Sequence, residues 1–506
     1  MSDNRRKFIC NGLLLTAVGL AVRSVGMVFN SYITRTVGAE GIGLFTLIMT
    51  VYSFAITFAT SGINLTVTRL VASAVGDGQG SVRRILRHAV VYAMIFSTTA
   101  CIVLFLLASY FGVHVLGDER TVIPLRILAT SLVPIALSSV FSGYFVGVKR
   151  VTRNAVVQVL GQIFKVGITL FMLYRFIRYG VAYATIALCL STTLTELSVF
   201  FVALVQFIWD RRRHKRAECG TRSSFSDITG MALPLAVSAY IRSALLTLEH
   251  ILIPKRLRDR GESLSDSLAE YGILHGMALP LLMYPMSPLT SFSGLLVPEF
   301  AESMARGEHE RMRRIASEAL NTTLTYASAV TVFLAVFSEE LGYVVYDSYG
   351  AGHYIAIMAP VVPIMYLDHV TDSMLKGIGE HVYSMWVNIS DSLLSVILVW
   401  SLIPVMGISG YAVVIVVMEA FNFVLSSLRL RKRIKFSIDF ISSFLLPLAA
   451  AFASGSVCRS IFVMSGAESG ALWLILKLVF SASIFIAIYI PLSRLGKLRK
   501  RKKSVI

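Results

Sequence analysis

Arg23 and Arg242 each sit deep inside an apolar run long enough to cross a bilayer, in "GLAVRSVGMVFN" (19–30) and "AYIRSALLTLEH" (239–250). A guanidinium stays charged at ordinary pH, and a charge at bilayer depth costs roughly 2.5–3.5 kcal/mol on insertion scales. Such a residue faces a bundle interior or a wet cavity. Its planar fork donates two hydrogen bonds at once, the geometry that suits a phosphate. Two arginines at one depth, facing one cleft, would make a cationic site for an anionic head group. The competing account is a structural ion pair, with Glu196 or Glu249 as partner.

Acids recur inside the apolar runs as well: Glu196, Glu249, Asp368, Asp391 and Glu419. Lys165 could neutralise Glu196. Asn388 and Asp391 are three residues apart and share a helix face. With Glu249 they could offer oxygens to a cation such as Na⁺, or a carboxylate could carry H⁺. Interhelical hydrogen bonding is the alternative. No other cofactor and no metal site is expected. The chain has no GxxxxGK[ST], and "GDGQG" (76–80) lacks the lysine a P-loop needs. No HExxH and no nucleophile with a base stands out, so an enzyme is not expected. The five cysteines form no CxxC pair, which argues against a zinc site or a disulfide framework.

The elements that must position these residues are membrane helices. The chain is 56% hydrophobic and 15% charged, more apolar and less charged than water-soluble domains. Fourteen apolar runs reach spanning length, at about 8–32, 43–66, 88–110, 122–146, 153–174, 181–209, 228–253, 273–297, 316–337, 352–370, 383–403, 407–428, 439–463 and 471–493. The net charge of +18 could indicate nucleic acid. However, with a cytoplasmic N-terminus and fourteen spans, 32 of the 47 Lys and Arg fall in cytoplasmic segments. That is the positive-inside pattern, with attraction to anionic lipid. No nucleic-acid partner is expected, and both termini are placed in the cytoplasm.

The loops contain a repeat. "RLVASAVGDGQGSVRRILRHAV" (69–90) aligns without gaps on "EFAESMARGEHERMRRIASEAL" (299–320), and "VPI" recurs at 133–135 and 362–364. Glu40, Thr60 and Ser61 meet Glu270, Thr290 and Ser291, and the "RS" at 23–24 meets the "RS" at 242–243. A six-span unit is even, so the two copies are parallel repeats. The expected fold is all-α and polytopic: an N-lobe over 1–209 (spans 1–6), a basic linker over 210–227, a C-lobe over 228–435 (spans 7–12), and spans 13–14 with a basic tail over 436–506. A cleft between the lobes is the expected cargo site. Pro280, Pro285 and Pro288 in span 8, and the paired Pro134 and Pro363, mark bends that are either hinges or static kinks.

The six-plus-six-plus-two organisation, the mid-span arginine and the turn "TRTVGAEGIGLF" (34–45) resemble the stage V sporulation protein B family. That family lies within the multidrug/oligosaccharidyl-lipid/polysaccharide (MOP) flippase superfamily. The resemblance implies alternating-access export of an undecaprenyl-pyrophosphate-linked saccharide from the cytoplasmic membrane's inner leaflet to its outer one. It also implies a role in spore cortex or cell-wall biogenesis, with wall-synthesis enzymes as partners. It places Arg23 among the cavity arginines of related lipid II flippases. Where those proteins often carry a second arginine six residues on, this chain has Phe29. It implies a lipid-tail groove at spans 13 and 14, and Na⁺ binding through spans 7 and 11. Two other readings compete: a cation-coupled multidrug antiporter of the same fold, whose cavity should be acidic or aromatic, and a non-transporting scaffold for wall synthesis.

Overall fold

The computed structural model describes residues 2–77, 81–148, 150–213, 225–464 and 470–503, with side chains described mainly between 24 and 492. Among these the secondary structure is helical throughout. The chain divides into two compact units, Met1–Gly272 and Ile273–Ile506.

The first unit opens with α1 (Ser2–Thr60), two helical stretches that meet at a kink at Gly38 (φ 81°, ψ 171°). Only glycine adopts that conformation without strain, so the turn between the first two expected spans is one residue wide. α2 (Ile63–Asp77) continues the second span after a further break. α3 (Val82–Tyr110) ends in a π-helical turn, Phe111–Leu116. The fourth expected span is α4 (Val122–Ala129) and α5 (Leu132–Gly147), bent by 42°. Pro134 lies in the first turn of α5, where a missing N–H costs no helical bond. α6 (Val151–Phe176) and α7 (Val181–Arg213) pair as an antiparallel hairpin. α8 (Phe225–Asp259) runs through Pro254, past the expected span end, and α9 (Leu264–Tyr271) follows. The expected outer loop 254–271 is therefore largely helical.

Buried charge fastens the basic end of this unit. Asp210, 1% exposed, pairs with Arg150 and with Arg153 at 3.0 Å, and accepts the Tyr144 hydroxyl at 2.7 Å. Arg153 also reaches the Gln206 carbonyl at 3.1 Å and lies over the Trp209 ring. This ties the α5–α6 junction to the end of α7. At the other end, Arg120 bridges Asp118 and Glu40 at 2.8 Å each. Hydrogen bonds to Asp118, then to Glu40, raise the Arg120 pKa.

The second unit begins with a π-helical turn (Gly272–Ala278), α10 (Leu279–Met283), a 3-10 turn and α11 (Ser287–Ala305). The eighth expected span is thus broken at the prolines that mark it. α12 (His309–Val336), α13 (Ser338–Tyr346) and α14 (Tyr349–Met358) follow. α15 (Val362–Gly377) starts at Pro363 as α5 does at Pro134. α16 (His381–Met406) and α17 (Ile408–Arg433) form a hairpin, and α18 (Leu446–Met464) and α19 (Ala471–Lys503) another. Asn321 holds the α17–α18 connection: its side chain donates to the Ser437 carbonyl at 3.1 Å and accepts from Asp439 N at 2.8 Å and the Ser443 hydroxyl at 2.9 Å.

Among the described residues, 11 helical runs are long and apolar enough to span, or 12 with the bent α4–α5 pair. The expectation of fourteen is compatible. Ser24–Val75 is a single run of 52 residues across the Gly38 break, and the broken α10–α11 segment is not among the 11. The compact-unit line differs from the expected lobe line. Helices α8 and α9, assigned from the sequence to the second repeat, pack with the first unit. Compactness and internal repetition are different properties, so the line at 272 does not decide the repeat.

Candidate functional site

In the first unit the polar chemistry gathers on the seam between α1 and α8. Ser61, 0% exposed, has φ 43°, a left-handed conformation rare for residues other than glycine. Its hydroxyl lies 2.7 Å from the Tyr92 hydroxyl and accepts the Tyr240 hydroxyl at 2.5 Å. Further along the same seam, the Ser243 hydroxyl donates to Thr57 at 3.3 Å and Thr247 donates to the Thr50 carbonyl at 3.4 Å. Small residues, Ala232 and Ala236, lie on the buried face of α8 together with Ile228, Leu252, Ile253 and Leu257. Close packing in a membrane rests on such small residues and interhelical hydrogen bonds rather than on hydrophobic exclusion.

Arg242 stands beside this seam on α8. It is exposed, and among the described residues it has no ion pair. Glu249 is two turns along the same helix, about 10 Å away at 1.5 Å rise per residue, and is 6% exposed. No Arg242–Glu249 ion pair forms among the described residues. The Arg23 backbone lies in α1, but its side chain is outside the described residues. Phe29 is 7% exposed and packs with Ile33, Leu173 and Leu188, so the position where some relatives carry an arginine is core here. Lys165 is exposed, within electrostatic reach of Glu196.

In the second unit, Asp368 on α15, Asp391 on α16 and Glu419 on α17 lie close enough to act on one another electrostatically. Asp372, one turn from Asp368, bonds the Ser384 hydroxyl and pairs with Lys376 at 2.5 Å. Asn388 donates to the Ser384 carbonyl at 2.7 Å. The sequence expectation joins Glu249, Asn388 and Asp391. Within the second unit, Asp391 lies near Asp368 and Glu419, and Glu249 is part of the first unit. Among the described residues no three His, Cys, Asp or Glu converge as metal ligands.

Hydropathy and charge do not pick out the Ser61–Tyr92–Tyr240 cluster. Its one signal is the Ser-Gly pair at 61–62 inside an apolar run, a turn-forming dipeptide in an unexpected place. Asp372 escapes sequence reasoning as well, because it falls at the end of its span.

An all-helical polytopic bundle with charged residues exposed at bilayer depth is the architecture of a membrane transporter. Solved structures of this kind match across the chain. A multidrug resistance MATE family transporter of the MOP superfamily in its inward-facing conformation superposes with TM-score 0.65 at 17% identity, covering 83% of this chain and 98% of that one. The lipid II flippase MurJ in an inward closed conformation gives 0.68 at 13% identity, covering 95% and 99%. The polysaccharide biosynthesis protein family matches residues 8–304, and MatE matches 265–401. The chain belongs to the polysaccharide biosynthesis protein family and has the MOP superfamily fold. It is similar to stage V sporulation protein B of Bacillus subtilis (strain 168), 28% identical over 94% of this chain and 96% of that protein. It is also similar to lipid II flippase MurJ of the same organism, 22% identical over 80% and 79%.

Proposed function

We propose that this protein carries a lipid-linked saccharide with a pyrophosphate head across the cytoplasmic membrane by alternating access, with both termini cytoplasmic and a role in spore or wall biogenesis. The observation that carries the reading is Arg242: a permanent cation exposed on a spanning helix with no carboxylate partner among the described residues. An anionic head group offers it the charge-assisted pairing that the protein does not. The family match supports a saccharide-linked cargo, and the similarity to a lipid II flippase supports a lipid anchor on it. Arg23 is the proposed second contact. The 1–209 and 228–435 lobes are proposed as the parallel repeats, and Glu249, Asn388 and Asp391 as the coupling-ion ligands. Asp368 and Glu419 are neighbouring acids that bring further carboxyl groups near Asp391. That acidic cluster, with the MatE match over 265–401, favours a cation-coupled multidrug antiporter, the second reading.

The test is flipping of a fluorescent undecaprenyl-pyrophosphate saccharide in proteoliposomes. Arg242→Lys keeps the charge but loses the fork and should fall partway. Arg242→Ala loses a charge-assisted contact and should fall about ten- to a hundredfold. Normal flipping by a folded Arg23→Ala, Arg242→Ala double variant sinks the cationic-site reading. Export of a cationic dye without flipping moves the assignment to the antiporter.

A further inference from the structure

Two cavities of the first unit are stacked along the seam between α3 and α8. The lower, about 410 Å³, is walled by Phe58, Val103, Leu104, Phe111, Leu248 and Ile251. The upper, about 520 Å³, is lined by His114, Gly117, Lys255, Arg258, Asp259 and Glu262. One face of α8 serves both. Ala244, Leu248, Ile251, Lys255 and Arg258 follow one another at three- and four-residue spacing, a single helical stripe; Glu262 lies just beyond the helix end. The stripe changes from apolar to charged between Ile251 and Lys255, one turn apart. On the facing element the same change falls between Phe111 and His114, where α3 has opened into its π-helical turn.

An apolar cavity stays free of water, and in a bilayer the available filler is hydrocarbon. Val103 and Leu248 are 46% and 44% exposed, so the lower cavity opens to the lipid. In the upper cavity the acids already have partners: Asp259 pairs with Arg256 at 2.8 Å, and Glu262 accepts the Ser267 hydroxyl at 3.4 Å. Lys255 and Arg258 are exposed and have no ion pair among the described residues. Both lie at the end of α8 away from the chain's basic cytoplasmic segments, in a stretch, 255–260, that also holds Arg256 and Arg260. This is a dense exception to the charge pattern that orients the other loops.

We propose that the α3–α8 seam binds one anionic phospholipid of the surrounding bilayer, with a chain in the apolar cavity and its phosphate between Lys255 and Arg258. The shape, apolar below and cationic above, fits an amphiphile with an anionic head. A free phosphate would leave the lower cavity unfilled, and a neutral lipid would leave both cations unpaired. The site is separate from Arg242 and does not depend on what the protein transports.

The experiment is native mass spectrometry of the purified full-length protein with phosphatidylglycerol, phosphatidylcholine or inorganic phosphate. The wild type should retain phosphatidylglycerol and neither of the others. A Lys255→Gln, Arg258→Gln variant changes only exposed side chains and so keeps its fold. It should hold phosphatidylglycerol at least about tenfold more weakly, the size expected for two cations at an anionic lipid surface. Ala244→Phe, which fills the lower cavity, should weaken it too, with an unfolding midpoint near wild type as the folding check. Equal retention of phosphatidylcholine, or unchanged phosphatidylglycerol binding in the charge variant, overturns the proposal. Inorganic phosphate held as well as phosphatidylglycerol, or full binding by a folded Ala244→Phe protein, overturns the lipid occupant.

Discussion

Replacing Ser61 separates two effects that the structure places on one residue. The backbone there is left-handed, with φ 43°, and holding an L-residue in that conformation costs roughly 1–2 kcal/mol. The hydroxyl contacts Tyr92 at 2.7 Å and Tyr240 at 2.5 Å. Neither tyrosine is fully orphaned by its loss. Tyr92 keeps the Ser61 carbonyl at 3.3 Å, and Tyr240 keeps a long contact to the Phe58 carbonyl at 3.5 Å. The net value of an interhelical hydrogen bond in a membrane protein averages about 0.6 kcal/mol, so losing two costs roughly 1 kcal/mol, or about 2 on the soluble-protein scale. Ser61→Ala loses the hydroxyl and keeps the backbone cost. Ser61→Gly loses the hydroxyl but recovers about 1 kcal/mol or more of backbone cost. The expected order of stability is therefore wild type at or above Gly, with Ala below both. Thermal unfolding of purified protein in one detergent at one pH reads it directly. Tyr240→Phe, which removes only one bond, should fall between wild type and Ala, and combined with Ser61→Ala it should be less than additive. An Ala variant as stable as the Gly variant would refute the backbone half of the reasoning; additivity in the double variant would refute the hydrogen-bonded half.

A second pair of substitutions tests the crossing of α1 with α9. A Cβ on Gly43 would run into the Leu268 carbonyl oxygen, and one on Gly272 into the Ala39 carbonyl oxygen. Backbone cannot step aside, so each Gly→Ala change should cost about 1–3 kcal/mol, whereas Gly167→Ala, with nothing within 4 Å, should gain up to about 1 kcal/mol of helix propensity; equal unfolding midpoints for Gly43→Ala and Gly167→Ala would remove the crossing. A third concerns acid. Hydrogen bonds from Arg429, then Arg433, at 2.9 Å and 2.7 Å hold the Glu380 pKa below the usual carboxylate range. A depressed pKa adds stability above the unfolded-state value of about 4.3, and that stability is lost as pH falls through the folded-state value. Glu380→Gln should flatten the acid limb of a midpoint-versus-pH curve below about pH 5, and an unchanged limb would show that the pairing is idle.

The spans are legible because hydropathy alone decides them, and the breaks because glycine and proline announce them. Gly38 sits in the turn quoted from the sequence, and the prolines at 280, 285 and 288 fall where span 8 is broken. Pro254 misleads in the other direction. It lies within α8, four residues after His250, whose ring faces the Tyr271 hydroxyl at 3.1 Å, and packing against α9 supports the helix past it. The acids of the second unit are legible one at a time. Their grouping is not, because Asp368, Asp391 and Glu419 come from three helices whose relative rotation no local pattern fixes. The Ser61 cluster is hidden for the same reason: Tyr92 is 31 residues away and Tyr240 is 179. Charge and depth alone suggest Glu249 for the ion site, and packing places it in the first compact unit.

The first unit fastens its helices unequally, and the difference bears on mechanism. The α5, α6 and α7 ends meet on a carboxylate 1% exposed with two arginines and a tyrosine on it. Removing one partner from such a buried ionic group costs about 3–5 kcal/mol, so these helices move as a block. Side-chain hydrogen bonds from Tyr240, Ser243 and Thr247 tie α8 to α1 and its end at 2.5–3.5 Å, worth together about 2 kcal/mol, over a buried face that includes Ala232 and Ala236. Taking a two-state element from one side to the other needs a differential affinity of about 5.5 kcal/mol. A guanidinium fork on a pyrophosphate makes two charge-assisted bonds at about 1.5–3 kcal/mol each, about 3–6 kcal/mol together, which exceeds the polar attachment of α8 and only matches the cost of removing one partner at the α7 end. On the transport reading, the cargo-facing cation is therefore on the helix that cargo binding can move.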